Sequence, residues 1–220
     1  MKVWLQLTLL LLGTEVTSLN ILLPGGTGPV GKILASMVPL HDVTILARNA
    51  FLAATPSRVF EDYGWVGAGF LKKHRHVKLR DWDGGDLLDI VGKDWLGWQD
   101  DALKKADCVV HLTGGGFTQQ RVMACERVVR ESVSANSEAF HITINPTDDL
   151  LSIISPGLPS TKQMRIQTCE EMVRRNCRNH ACLRVDDKRV EVVCSAILAE
   201  INDWEKSQKG SIDGRRNKVF

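Results

Sequence analysis

From Leu19 onward, apolar residues alternate between short continuous runs and longer stretches in which they recur every three or four positions. Short runs read as strands buried on both faces, and the longer recurrence reads as helices that bury one stripe. Strands are predicted at Leu19–Leu23, Val43–Ala47, Val77–Leu79, Cys108–Leu112, Phe140–Asn145 and Ala181–Val185. Helices are predicted at Val30–Val38, Asp100–Ala106, Arg121–Ala135, Met164–Arg175 and Val190–Trp204, with an irregular Gly- and aromatic-rich stretch from Tyr63 to Phe70. Strands that alternate with helices make parallel βαβ units, so the expected class is α/β: one doubly wound parallel sheet with helices on both faces, in a single domain over 19–204.

The two ends depart from this pattern. Lys2 precedes the apolar run Val3–Leu12, and small residues follow at Val16 and Ser18, as in a secretion signal over 1–18; the run is too short to span a bilayer. A cleaved leader sends the chain to the secretory pathway or an organelle reached through it, with no membrane span afterwards; an uncleaved one is part of the domain and leaves the protein cytoplasmic. Residues 205–220 are polar and basic, with Gly210 and Gly214, and read as a loose tail. The six cysteines are an even number that could pair in a secretory compartment, but they sit within apolar-periodic segments, where Cys108 and Cys194 read as small buried thiols, and no Cys/His cluster has zinc spacing. Lys+Arg 28 against Asp+Glu 26 leaves a formal charge of +2, which gives no global field for nucleic acid, so any anion site is local.

That local site is the turn after the first strand. Gly25, Gly28 and Gly31 follow a strand directly and open a helix, within the run Gly25-Gly26-Thr27-Gly28-Pro29-Val30-Gly31. As a bare triplet this marks a tight βα turn; at the first strand of an alternating chain it marks a phosphate-binding one. The first glycine permits the turn, the second lets a pyrophosphate approach the backbone, and the third brings helix and strand together. The helix N-terminus adds unpaired N–H groups and a partial positive charge. The second strand ends Ala47-Arg48-Asn49, where an acidic residue would bind a ribose 2′-OH. A guanidinium there suits a 2′-phosphate, so NADP(H) is favoured over NAD(H).

The glycine turn, Arg48, Asp81-Trp82 and the run Ala106-Asp107-Cys108-Val109-Val110-His111-Leu112-Thr113-Gly114-Gly115 together resemble the short-chain dehydrogenase/reductase superfamily, with its Rossmann-type sheet. They are most similar to its extended and atypical branch, the NAD-dependent epimerase/dehydratase-like proteins. The resemblance covers Leu19 to about Val185 and is specific in the first half. It implies that Thr27, Pro29 and Val30 join the three glycines around the cofactor, that Asp81 and Trp82 touch the adenine, and that Leu112, Thr113 and Gly114 lie along the cofactor. It also implies a Tyr-x-x-x-Lys pair with a serine, in which tyrosine exchanges a proton with the substrate. Lys162 stands at the lysine position and Ser155 at the serine position, but Leu158 stands where the tyrosine belongs, and the only tyrosine is Tyr63.

Leucine transfers no proton, and loss of a positioned general acid typically costs about 10²–10⁴ in rate. Two functions follow from the same turn. One is an atypical oxidoreductase or epimerase-like enzyme acting on a small molecule with NADP(H), Lys162 and Ser155 lying near the nicotinamide. The other is a non-catalytic NADP(H)-binding sensor or scaffold. A truncated product lacking its substrate domain is a third, weaker reading. His111, at the carboxyl edge of the sheet, is either a ligand-facing or a hydrogen-bonded structural residue; Trp65, Trp82, Trp95 and Trp98 either stack a ring or fill the domain. A homodimer is the assembly considered, and substrate identity does not follow from fold.

Overall fold

Every residue of β1 (Asn20–Pro24) after Asn20 is buried, which an open sheet achieves only at a central strand covered on both faces. The computed structural model describes residues 18–55, 64–82, 97–113, 118–154 and 159–216. After β1 come α1 (Pro29–Met37), β2 (Asp42–Ala47), α2 (Ala50–Ala54), α3 (Ala68–Lys73) and β3 (Val77–Asp81). A π-helical turn (Gln99–Leu103), β4 (Cys108–His111), α4 (Gln119–Ala135), β5 (Phe140–Pro146), α5 (Asp148–Ile154), α6 (Pro159–Asn176), β6 (Asn179–Val185) and α7 (Val190–Arg216) complete the chain. Six parallel strands lie in the order β3-β2-β1-β4-β5-β6, the Rossmann order, in one α/β domain.

Strand alternation sorts the core into two layers. Ile21 and Leu23 join Val43, Ile45, Cys108, Val110 and Ile142 on one face, against Leu34 and Ala35 of α1 and Cys194, Ile197 and Ile201 of α7. Leu22, Leu46 and Val109 face the other way, against Trp98 and Leu103 beside the π turn and Ala124 and Val128 of α4. Cys125 and Val129 of α4 then meet Cys169, Val173 and Cys177 of α6. All six cysteines are free; all are buried except the half-buried Cys182.

Several boundaries differ from the pattern reading. Asp100–Ala106 is a single wide turn, closed by the Lys104 N–H onto the Gln99 carbonyl, which seats Trp98, Ala102 and Leu103 together on the sheet. Three short helices, of five, six and seven residues, span too few turns to show a period. Asn49 accepts the Leu52 N–H to start α2, Phe70 anchors α3, and the Thr147 hydroxyl accepts the Leu150 N–H to start α5. Residues 205–216 of the expected loose tail are helical, as the continuation of α7. Among the described residues no helix is long and apolar enough to cross a membrane.

Because β1 and β4 are neighbours while the chain runs first outward to β3, their carboxyl ends part in opposite directions and open a crevice. The glycine turn lies there.

Candidate functional site

A cleft of about 680 Å³ runs over the carboxyl ends of the strands, from Leu46, Ala47 and Arg48 at the end of β2 to Val185, Asp187 and Lys188 at the end of β6. Its middle is the glycine turn, and three glycines there are bare for three different reasons. Gly25 has φ +74°, and a Cβ on it would lie 2.8 Å from the Thr113 Cα, so a side chain would push β1 away from the end of β4. A Cβ on Gly31 would lie 2.0 Å from the Gly26 carbonyl oxygen, so α1 could not seat. A Cβ on Gly28 would meet nothing within 4 Å among the described residues. Their packing has no need of a glycine at 28; that backbone borders the open cleft.

α1 starts immediately behind it. Pro29 occupies the first turn and has no N–H to lose, Gly28 accepts the Lys32 N–H at 3.0 Å, and no acidic residue lies in the first turn. The Val30 and Gly31 amides have no intrahelical acceptor, so this end of α1 offers donors and a positive dipole to an anion. Thr27, Pro29 and Val30 line the cleft with the glycines, and the Thr27 carbonyl is held by the Val66 N–H at 2.8 Å.

The other predicted positions divide. Arg48 is exposed, lines the cleft and has no ion-pair or hydrogen-bond partner among the described residues. Trp82 is buried, forms part of the wall and meets Trp98 edge-on with centroids 5.6 Å apart. Its neighbour Asp81 does not line the cleft; its Oδ1 accepts the Ala50 N–H at 2.6 Å and fixes the start of α2. Leu112 and Thr113 line the cleft beside Gly25. Lys162, in the first turns of α6, is half-buried and is not among the lining residues. Gly114, Ser155, Leu158, Tyr63 and Trp95 lie outside the described residues.

His111 belongs to a buried chain. Its Nε2 is 3.0 Å from the His141 Nδ1, and the His141 Nε2 is 3.0 Å from the Ser132 hydroxyl. Burial holds His111 well below the usual histidine range, reinforced by His141 and Arg121, and burial with His180 brings His141 down to about 4. Both rings are therefore neutral at neutral pH. The His111 Nδ1 and the Thr143 hydroxyl, on residues paired across β4 and β5, are buried without partners among the described residues.

A second buried polar chain lies behind the cleft and was missed by the pattern reading. Arg121 donates to the Asn145 Oδ1 at 2.6 Å, the Asn145 amide donates to Glu170 at 2.9 Å, and Glu170 also holds Arg184 at 2.7 Å. Arg121 and Asn145 line the cleft. The signal was present: Arg121 falls on the stripe of Ala124, Cys125 and Val128, and Glu170 adjoins that of Ile166, Cys169 and Val173. A charge on an apolar stripe must find a buried partner.

No family model matches the sequence, and no curated protein matches it. Solved structures share the fold. An oxidoreductase of the short-chain dehydrogenase/reductase family from Brucella ovis, in complex with a partially ordered NAD, aligns with TM-score 0.52 and 14% identity over 83% of this chain and 92% of that one. A short-chain dehydrogenase from Oenococcus oeni gives 0.50 and 12% over 86% and 93%, and vestitone reductase from alfalfa gives 0.50 and 11% over 76% and 56%. The structural neighbours are short-chain dehydrogenase/reductase oxidoreductases, and the sheet order of this chain is that of their Rossmann fold.

Proposed function

We propose that the cleft binds a nicotinamide dinucleotide, NADP(H) in preference to NAD(H), and that the protein is an atypical short-chain reductase or epimerase-like oxidoreductase acting on a small molecule. The observation that carries this reading is Gly28: its missing side chain is unexplained by any contact among the described residues and is explained by a pyrophosphate against the backbone. The Val30 and Gly31 amides hold that pyrophosphate, Trp82 walls the adenine end, and Arg48 meets a 2′-phosphate. When bound, the nicotinamide supplies hydride chemistry. Leu112 and Thr113, beside Gly25 on the cleft wall, would position the ring. The NAD held by the Brucella ovis neighbour agrees with the cofactor class.

One observation favours a second reading, a dinucleotide-binding protein without catalysis. Lys162 does not line the cleft, and on the resemblance Leu158 stands where the proton-transferring tyrosine belongs. Titration of the full chain with NADPH and NADH, followed by tryptophan fluorescence, tests the site. NADPH is expected to bind about 10–100-fold more tightly, the worth of a charge-assisted contact from Arg48, and Arg48→Ala is expected to erase that preference. Gly28→Asp is expected to abolish binding with an unchanged melting temperature, because the new side chain meets only the cleft. Binding that survives Gly28→Asp refutes the cofactor site. NADPH oxidation in the presence of a panel of carbonyl compounds and quinones separates reductase from sensor.

A further inference from the structure

One residue on the cleft wall has hydrogen bonding left unfinished. Strand alternation turns His141, Thr143 and Asn145 of β5 toward α4, with His111 of β4 in register beside Thr143. The two ends of this row are satisfied: His141 by Ser132 and His111, Asn145 by Arg121 and Glu170. Between them, the His111 Nδ1 and the Thr143 hydroxyl are buried with no partner among the described residues. An orphaned buried polar atom costs stability and asks for a partner from outside the chain. Thr143 does not line the cleft, whereas His111 lines it while being only 4% exposed. Thr118, Gln120 and Arg121 line the cleft as well. Thr118 and Gln120 are exposed, so a ligand exchanges water for them, and Arg121 already holds the Ile144 carbonyl and Asn145.

Behind the ring, the buried chain decides what the Nδ1 presents. With the Ser132 hydroxyl donating to the His141 Nε2 and the His141 Nδ1–H donating to the His111 Nε2, the chain ends in a His111 Nδ1–H donor. With both tautomers reversed, the His111 Nε2–H donates to His141, the His141 Nε2–H donates to Ser132, and the Nδ1 is left as an acceptor. The two orders hold the same protons and the same charge. Such a chain serves an oxygen that changes between carbonyl and hydroxyl without charging the protein interior.

We infer that the His111 Nδ1 is the hydrogen-bonding group for the reacting oxygen of the cleft's ligand, a donor to a carbonyl and, in the reversed order, an acceptor from a hydroxyl. The inference rests on the cofactor reading above, which brings a carbonyl and alcohol couple to this cleft. His111 polarises the oxygen as a neutral imidazole and releases no proton, and the buried Arg121 on the neighbouring helix favours negative charge building there.

The test is nitrogen NMR of the full chain carrying isotope-labelled histidine, with the His111 signals identified by their loss in His111→Gln. Two mixtures that do not react supply the probes: acetone with NADP⁺, and isopropanol with NADPH. Acetone is expected to leave the His111 Nδ1 protonated and isopropanol to leave it unprotonated, with the His141 tautomer reversing alongside. His111→Phe is expected to weaken acetone binding about 3–10-fold, the worth of one neutral hydrogen bond, and His111→Gln, which keeps a donor, to recover part of it. His111 signals that move with neither probe overturn the inference and assign the Nδ1 to an ordered water; one tautomer in both mixtures overturns it too. Cofactor binding is measured first in the same samples: its absence strikes the cofactor reading, whereas normal binding with an unmoved Nδ1 strikes the role of His111 alone.

Discussion

Acid should loosen this protein in a pH range where most surfaces are indifferent, through the histidines beneath the cleft. His141 lies between β5 and α4, facing His111 from β4, Ser132 from α4 and His180 from β6, and only 2% of it is exposed. In the unfolded chain it takes a proton near 6.5, and in the folded chain only at about 4. Between those values the unfolded state holds more protons, so stability falls as pH falls from about 6.5 toward 4. The full difference is about 3 kcal/mol, of which about 2 kcal/mol is lost between pH 7 and pH 5. His111, depressed for the same reason, adds in the same direction. Urea unfolding at pH 7, 6 and 5 is the assay, and with slopes of about 2–3 kcal/mol per molar the midpoint should drop by about 1 M by pH 5. His141→Gln keeps a polar group toward Ser132 and cannot titrate, so it should start less stable at pH 7 and lose less on acidification. A midpoint equal at pH 7 and pH 5, or one that falls as far in the variant, would refute the reasoning.

Three further outcomes follow from named contacts. Gly31→Ala should cost about 3 kcal/mol or more in thermal unfolding, because the added Cβ meets the backbone carbonyl of Gly26, whereas Gly28→Ala should leave the melting temperature within about 1–2 °C. Glu170→Gln should destabilise by about 2 kcal/mol by leaving Arg184 and the Arg121–Asn145 chain without their anion, and adding Arg184→Gln should restore part of the loss; no recovery in the double variant would show that the charge is not the cause. Thr143→Val should be neutral or stabilising if the hydroxyl is dry, since it removes a buried group without a partner; a clear loss on chemical denaturation would reveal a bound water.

How much of this was legible follows from the range over which each signal acts. The six strands and the main helices were readable because burying both faces of a parallel strand demands a continuous apolar run, and covering it demands a 3.6-residue stripe. Their ends were not, since the start of α2 depends on Asn49 and on Asp81 from a distant strand. Among site residues, the glycine spacing was visible because its constraints are local to one turn. That Gly25 and Gly31 are bare for packing and Gly28 for the cleft became visible only when Thr113 and Gly26 were brought alongside.

By itself, then, the order of apolar runs determined a parallel α/β sheet with its glycine turn at the first strand, because covalent order and periodicity are properties of the chain. Only the tertiary structure decided which residues share the cleft. Strand order placed β1 beside β4, turned Asp81 into a helix anchor rather than a wall, left Lys162 off the lining, and brought Arg121 and Asn145, 24 positions apart, into one buried chain. Those are contacts between distant segments, and no local pattern encodes a distance.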